Sequence, residues 1–234
     1  MTDAVLIPGT LCDERVFAPM AEQLTISPWF APPIAHADVV DEARAVLAAA
    51  PRRFVAIGYS LGGFVVLELL RHAPERLLGA VLIASNAEPL APAAVSARRG
   101  EVALARSRGV DALVDRLWPR YVAAAHLGDR TIERIVRAMA HDTPLDSFAA
   151  QAEMAISRPD SRETLQTTRV PVLGLIGVED VMIPPKGAQS IAAASTAQLV
   201  TLPGVGHFVP LEAPAAAAAT IEAWVAEAVP CCSA

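Results

Sequence analysis

Phe54-Val55-Ala56-Ile57-Gly58-Tyr59-Ser60-Leu61-Gly62-Gly63-Phe64 is the stretch that decides how this chain is read. Four apolar residues run into a glycine, a single serine follows, and two more glycines open a segment of helical apolar spacing that lasts to His72. The pattern predicts a strand, a tight turn and a helix. So sharp a turn needs residues without Cβ on either side of the serine, and it lifts the hydroxyl above the sheet at the positive end of a helix dipole. A glycine-rich turn used only for packing is the bland alternative. The flanking strand and helix favour Ser60 as a nucleophile.

A serine hydroxyl attacks poorly unless a base takes its proton. Of the five histidines, His207 lies in Gly204-Val205-Gly206-His207-Phe208, a flexible turn directly after the last expected strand. His36 precedes a helix, His72 ends one, and His126 and His141 fall in a helical stretch. The base in turn needs a carboxylate to hold its tautomer and steady its cation. Asp180, in the loop Gly177-Val178-Glu179-Asp180-Val181-Met182-Ile183-Pro184, is the first candidate. Glu179 is its neighbouring competitor and Glu88 a more distant one, and a carboxylate here could also be a plain helix cap. The order serine, acid, histidine agrees with the first choice.

A developing oxyanion must meet donors aimed in advance. Leu61 N–H, at the start of the helix, is one. The other is expected from the loop Pro8-Gly9-Thr10-Leu11-Cys12, where Thr10 N–H is preferred to Leu11 N–H. No second set of groups supports Cys12 as a nucleophile, so it is read as a small wall or core residue.

Outward from this centre, strands are expected at residues 4–7, near Trp29 and Phe30, and at 54–57, 80–84, 172–176 and 198–202. Helices are expected at 15–24, at 38–50 with Asp38 as N-cap, and at 61–72, 186–193 and 214–228. Short, continuously apolar strands separated by helices imply an α/β fold with a mostly parallel six-stranded sheet, covered on both faces. Strand ends on one edge of such a sheet converge on one crevice, which brings residues 60, 180 and 207 together.

The alternation breaks once. Residues 89–168 show no convincing strand, and their apolar residues recur at helical spacing: Val95, Val102, Leu104, Val110, Leu113 and Leu117, then Ile132, Ile135, Val136 and Met139. This is read as an all-helical insertion between core segments 1–88 and 169–234. It holds 11 arginines against 10 acidic residues, a balance that suits a solvated face better than a docking patch.

Composition narrows the class. The chain has 234 residues, 53% apolar, and a formal charge of −6, which argues against nucleic acid as a partner. Asp3 precedes the first apolar run where a signal peptide would carry basic residues. The uncharged stretch 187–211 is broken by Gln189, Gln198, Pro203 and two glycines, so no membrane span is expected. Cys12, Cys231 and Cys232 make no disulfide framework, in keeping with a reduced, cytoplasmic protein.

Together, LIPGTLCDERVF, VAIGYSLGG, the GVEDVMIPP loop and GVGHFVPLEAP resemble the α/β-hydrolase superfamily over nearly the whole chain. Where that family often has His-Gly in its first loop, this chain has Pro8-Gly9. The resemblance implies a sheet lacking the family's two N-terminal antiparallel strands, with the insertion standing where the family carries its cap. Its size is similar to that in small capped esterases such as the pimeloyl-carrier-protein methyl esterases. A serine at position 60 separates the chain from the aspartate-dependent dehalogenases and epoxide hydrolases.

The expected activity is hydrolysis of a small-molecule ester, with no cofactor and no metal. Expected pocket walls are Leu11, Trp118, Phe148, Met154, Met182 and Phe208, each of which could equally be ordinary core. Arg98, Arg99, Arg106 and Arg108 could meet an acidic group or an acidic carrier protein, though nearby acids make a solvated face the simpler reading. Lactonase, thioesterase, carbon–carbon hydrolase and hydroxynitrile lyase chemistry stay open on the same groups. So does a ligand-binding receptor that kept the fold.

Overall fold

The computed structural model of the chain describes residues 2–183 and 185–229, so Cys231 and Cys232 lie outside the described residues. The elements run β1 (Asp3–Ile7), α1 (Ala18–Ala21), β2 (Ser27–Phe30), α2 (Val39–Ala49), β3 (Phe54–Tyr59), α3 (Leu61–His72) and β4 (Leu77–Ile83). Four helices follow: α4 (Pro92–Tyr121), α5 (Arg130–Asp142), α6 (Leu145–Ser157) and α7 (Arg162–Thr167). The chain then returns to the sheet through β5 (Val172–Gly177), α8 (Pro185–Ala188), β6 (Ala197–Leu202), α9 (Val209–Glu212) and α10 (Pro214–Ala228).

The six strands form one parallel sheet in the order β2-β1-β3-β4-β5-β6. This is the α/β-hydrolase fold with an all-helical, cap-like region between β4 and β5. The chain crosses back over β1 to reach β3, so the order reverses between these two strands. A crevice opens at their carboxyl ends, where ligands bind in open α/β sheets.

Strand residues alternate between two cores, as a sheet covered on both faces requires. Leu6, Val55, Ile57, Ile83 and Leu175 face α10 and most of the cap, against Ile221, Trp224, Leu113 and Met139. Val5, Ile7, Ala56, Leu82 and Val172 face α2 and α3, against Val46, Val65, Leu69 and Leu165.

Helix α2 starts at the expected cap, with the Asp38 carboxylate accepting from Val40 and Asp41 N–H. Two expected helices are shorter than their patterns. The 15–24 segment divides into a 3₁₀ turn, Glu14–Val16, and the single turn of α1, because Pro19 has no N–H to extend a ladder. The 186–193 segment divides into α8 and the 3₁₀ turn Ile191–Ala193. There Ser190 Oγ bonds the Gly187 carbonyl at 2.9 Å and accepts from Ala87 N–H, competing with the helical ladder. Long α4 is broken at Gly109, whose φ of 84° and ψ of 163° are not helical.

Candidate active site

The turn between β3 and α3 is as tight as its glycines require. A Cβ on Gly58 would stand 2.4 Å from the Gly62 carbonyl oxygen, and one on Gly62 would stand 2.1 Å from that of Ile7. Ser60 adopts φ 51° and ψ −110°, a conformation that costs a non-glycine residue about 1–3 kcal/mol. Its N–H is fixed to the Ile83 carbonyl at 2.8 Å, and its side chain makes no helix-capping bond.

The hydroxyl turns instead to His207. Ser60 Oγ lies 3.0 Å from His207 Nε2, and His207 Nδ1 lies 2.8 Å from Asp180 Oδ2. The ring is 5% exposed and the Asp180 side chain is sealed from solvent, so this line of contacts is dry except at its serine end. The second oxygen of Asp180 accepts from Met182 N–H at 2.7 Å and Ile183 N–H at 2.8 Å. One residue earlier, Glu179 is exposed and accepts from Ala124 N–H at 3.1 Å, away from the imidazole. Glu88 is also exposed.

The loop bearing His207 is held from two sides. His207 N–H and Phe208 N–H both donate to the Tyr121 carbonyl at the end of α4, at 2.9 and 3.3 Å. Beneath the loop, the Glu212 carboxylate accepts from Ala123 N–H at 2.8 Å and from Gly206 and Phe208 N–H at 2.9 Å. Burial pushes the Glu212 carboxyl above the ordinary range, and these three donors pull back against the shift.

Thr10 and Leu61 line the cavity that holds Ser60 and His207, and their N–H groups donate to no acceptor among the described residues. The other candidate of the first loop is already committed: Leu11 N–H donates to Gln151 Oε1 of α6 at 2.9 Å. Gln151 Nε2 in turn donates to the Ile34 carbonyl at 2.8 Å, and the residue is fully buried. The cap therefore pins the loop just where Leu11 takes a φ of 56°. Cys12 is buried, its Sγ donating to the Thr10 carbonyl at 3.2 Å, and burial pushes its thiol well up, which makes it inert.

The cavity measures about 310 Å³, near the small end of the roughly 300–1,000 Å³ usual for ligand sites. Met182 lines it, and Phe208 lines a small void beside it that also touches Ser60. Leu11, Trp118, Phe148 and Met154 line neither; they are buried in the two cores. Apolar residues on an amphipathic cap are used up in seating it on the sheet. The walls that sequence reading missed include Phe64, Leu90, Ile183 and Arg158, while Arg98, named there as able to meet an acidic group, lines the cavity as well. A larger groove of about 680 Å³ lies at the opposite end of β4 and β5, around Leu77 and Pro171, and touches none of the candidate groups.

Of the four cap arginines singled out by sequence, Arg99 pairs with Glu153, Arg106 with Asp146 and Arg98 with Glu101. Among the described residues no cluster of three His, Cys, Asp or Glu could hold a metal, and no helix is long and apolar enough to cross a membrane.

The chain matches the model of the alpha/beta hydrolase family over residues 7–220. It is 29% identical over 168 residues to a pimeloyl-[acyl-carrier protein] methyl ester esterase of Edwardsiella ictaluri, covering 69% of this chain and 65% of that one. It spans less than two thirds of the length of most curated relatives it matches. Its structure is similar to that of a thermophilic esterase from Thermogutta terrifontis, with a TM-score of 0.87, 23% identity, and 98% and 91% of the two chains covered. An enol-lactonase from Burkholderia xenovorans LB400 gives a TM-score of 0.87 at 20% identity, with 97% and 92% covered. At these identities the two structures speak for the fold.

Proposed function

The chain belongs to the alpha/beta hydrolase family, and from that premise we propose that it is a serine hydrolase cleaving a small carboxylic ester through an acyl-enzyme on Ser60. The observation that carries this reading is the hydrogen-bonded line from Asp180 through His207 to Ser60, which opens on a cavity with two uncommitted N–H donors.

Ser60 Oγ attacks the ester carbonyl as its proton passes to His207 Nε2. The tetrahedral oxyanion is held by Thr10 and Leu61 N–H, at the positive end of α3. Asp180 stays ionised and steadies the imidazolium through Nδ1–H. Collapse of the intermediate breaks the bond to the alcohol, which leaves with the proton from Nε2. Water then repeats the sequence on the acyl-enzyme, with His207 as its base, and releases the acid and Ser60. No step calls on a cofactor. A small free ester is the expected partner, since Arg99 and Arg106 already have acidic partners of their own.

Turnover of p-nitrophenyl esters from acetate to decanoate should fall by about 10⁴-fold or more in Ser60→Ala, with folding unchanged. Labelling of Ser60 by a fluorophosphonate without turnover would point to a narrower substrate or a lyase. Neither labelling nor turnover would overturn the reading in favour of a receptor.

A further inference from the structure

Arg158 stands at the end of α6, and its surroundings do not account for its charge. The residue is 8% exposed, its Nε donates to the Glu88 carbonyl at 2.9 Å, and its Nη1 donates to the Ala155 carbonyl at 2.5 Å. The guanidinium lies over the Phe64 ring at 4.2 Å from its centroid. These contacts employ only two of its five donor hydrogens. Among the described residues it forms no ion pair. The charges that act on it are Arg98, of its own sign, and Glu88, whose carboxylate is exposed and makes no hydrogen bond to it. Burial brings its pKa down to about 10, with Arg98 adding to the effect.

A cation withdrawn from water without a counter-charge is costly, and bonding two main-chain carbonyls would need no charge at all. Yet Arg158 lines the same cavity as Ser60, and so does Arg98. Arg98 is half-buried, gives one nitrogen to Glu101 at 3.0 Å, and also borders the small void against Ser60 and His207. Two guanidiniums and a nucleophile line one small cavity, which Glu88 also borders, and this set fits a ligand with an anion at one end and an ester at the other.

Resting on the hydrolase reading, we infer that Arg158, with Arg98 beside it, is the carboxylate subsite of this cavity, and that the substrate is a half-ester of a small dicarboxylic acid. The planar guanidinium suits a carboxylate that accepts two parallel hydrogen bonds. A cavity of about 310 Å³ suits a short acyl chain between the two ends.

The test compares monomethyl adipate with methyl hexanoate, of equal acyl length, by acid release. The wild type should favour the anionic ester at least about tenfold in kcat/KM, the size of a charge-assisted hydrogen bond. In Arg158→Gln that ratio should fall towards one, while Arg158→Lys should retain part of it. Equal rates on the two esters in the wild type would overturn the proposal. So would an Arg158→Gln variant that slows both esters alike, since this is what a purely structural arginine would do. If neither ester turns over, calorimetry with adipate decides. Binding to the wild type that is lost in Arg158→Gln keeps the subsite and leaves the hydrolase reading to the p-nitrophenyl esters and the fluorophosphonate, and no binding sinks the subsite. Should Arg158→Gln fail to fold, Arg98→Gln is read in its place and should lower the same ratio severalfold.

Discussion

Between β3 and α3 the proposed nucleophile is placed by main-chain geometry, whereas across α4 to α7 the groups around it are steadied by polar side chains and main-chain ends reaching down from above. Around Ser60 the turn admits no Cβ on Gly58 or Gly62, and the strands leading to it are buried throughout. The cap is built differently. Arg137 alone meets Asp111, Asp115 and Glu133 on its outer surface. Surface pairs of this kind add little, since water screens them and ordering two long side chains offsets the attraction, so the cap holds mainly through the apolar face of Leu113, Leu117, Ile132, Val136 and Met139. A change at the strand ends should therefore remove chemistry outright. A change in the cap should grade it.

The sharpest way to break this comparison is at the carboxylate. Asp180→Asn should lower kcat by about 10³- to 10⁴-fold through loss of the imidazole's tautomer and cation support. Glu179→Gln should stay within about threefold of the wild type. Steady-state kinetics on any ester the enzyme accepts would check both, and a reversal would move the acid's role to Glu179.

Next in size is Gln151→Leu. It leaves Leu11 N–H and the Ile34 carbonyl buried and unpaired, at a cost of about 1–3 kcal/mol each, and frees the loop that carries Thr10. The expected result is a 10- to 100-fold drop in kcat with little change in KM, together with a lower midpoint in urea. If stability falls and kcat does not, the cap has no hold on the oxyanion loop.

The smallest effect is expected from pH. The Glu212 carboxyl is raised in the folded state, so between the unfolded value and the raised one the native protein binds more protons than the unfolded chain. Its contribution to stability is therefore present at low pH and declines as pH rises through that window, by at most about 1.4 kcal/mol per unit. Asp13, Glu222 and Asp160 are held low and act in the opposite sense, losing stability as pH falls. Subtracting Glu212→Gln from the wild type in urea titrations between pH 4 and 7 isolates the Glu212 slope, and a difference that does not change with pH would contradict it.

Much of the core was legible because its signals are local. Gly58 to Gly63 announces its own turn, Gly204 to Phe208 its own loop, and the strands their own burial, so residues 60, 180 and 207 could be named as neighbours from chain order and sheet geometry. The cap walls were not legible in the same way. Trp118, Phe148 and Met154 have the composition of a pocket, but a period of 3.6 reports only that a face is buried and not what it is buried against. Arg158 looked like any other arginine, because its isolation from acids is a tertiary fact. Gln151 did leave a trace: it is a polar residue on the stripe formed by Phe148, Ala152 and Ala155, where only a satisfied amide belongs.

The cap's attachments differ in what a single codon change can reach. The His207 loop hangs on the Tyr121 carbonyl directly and on Ala123 N–H through the Glu212 carboxylate, and both cap groups belong to the main chain, so substitution at those two positions leaves them in place unless proline removes the N–H of residue 123. The Thr10 loop hangs on one amide side chain, Gln151, which a single mutation can delete. Genetic drift in the cap is thus tolerated on one side of the site and policed on the other. A library randomised around Arg98 and Arg158 with Gln151 held constant would explore new specificities on a scaffold that stays assembled.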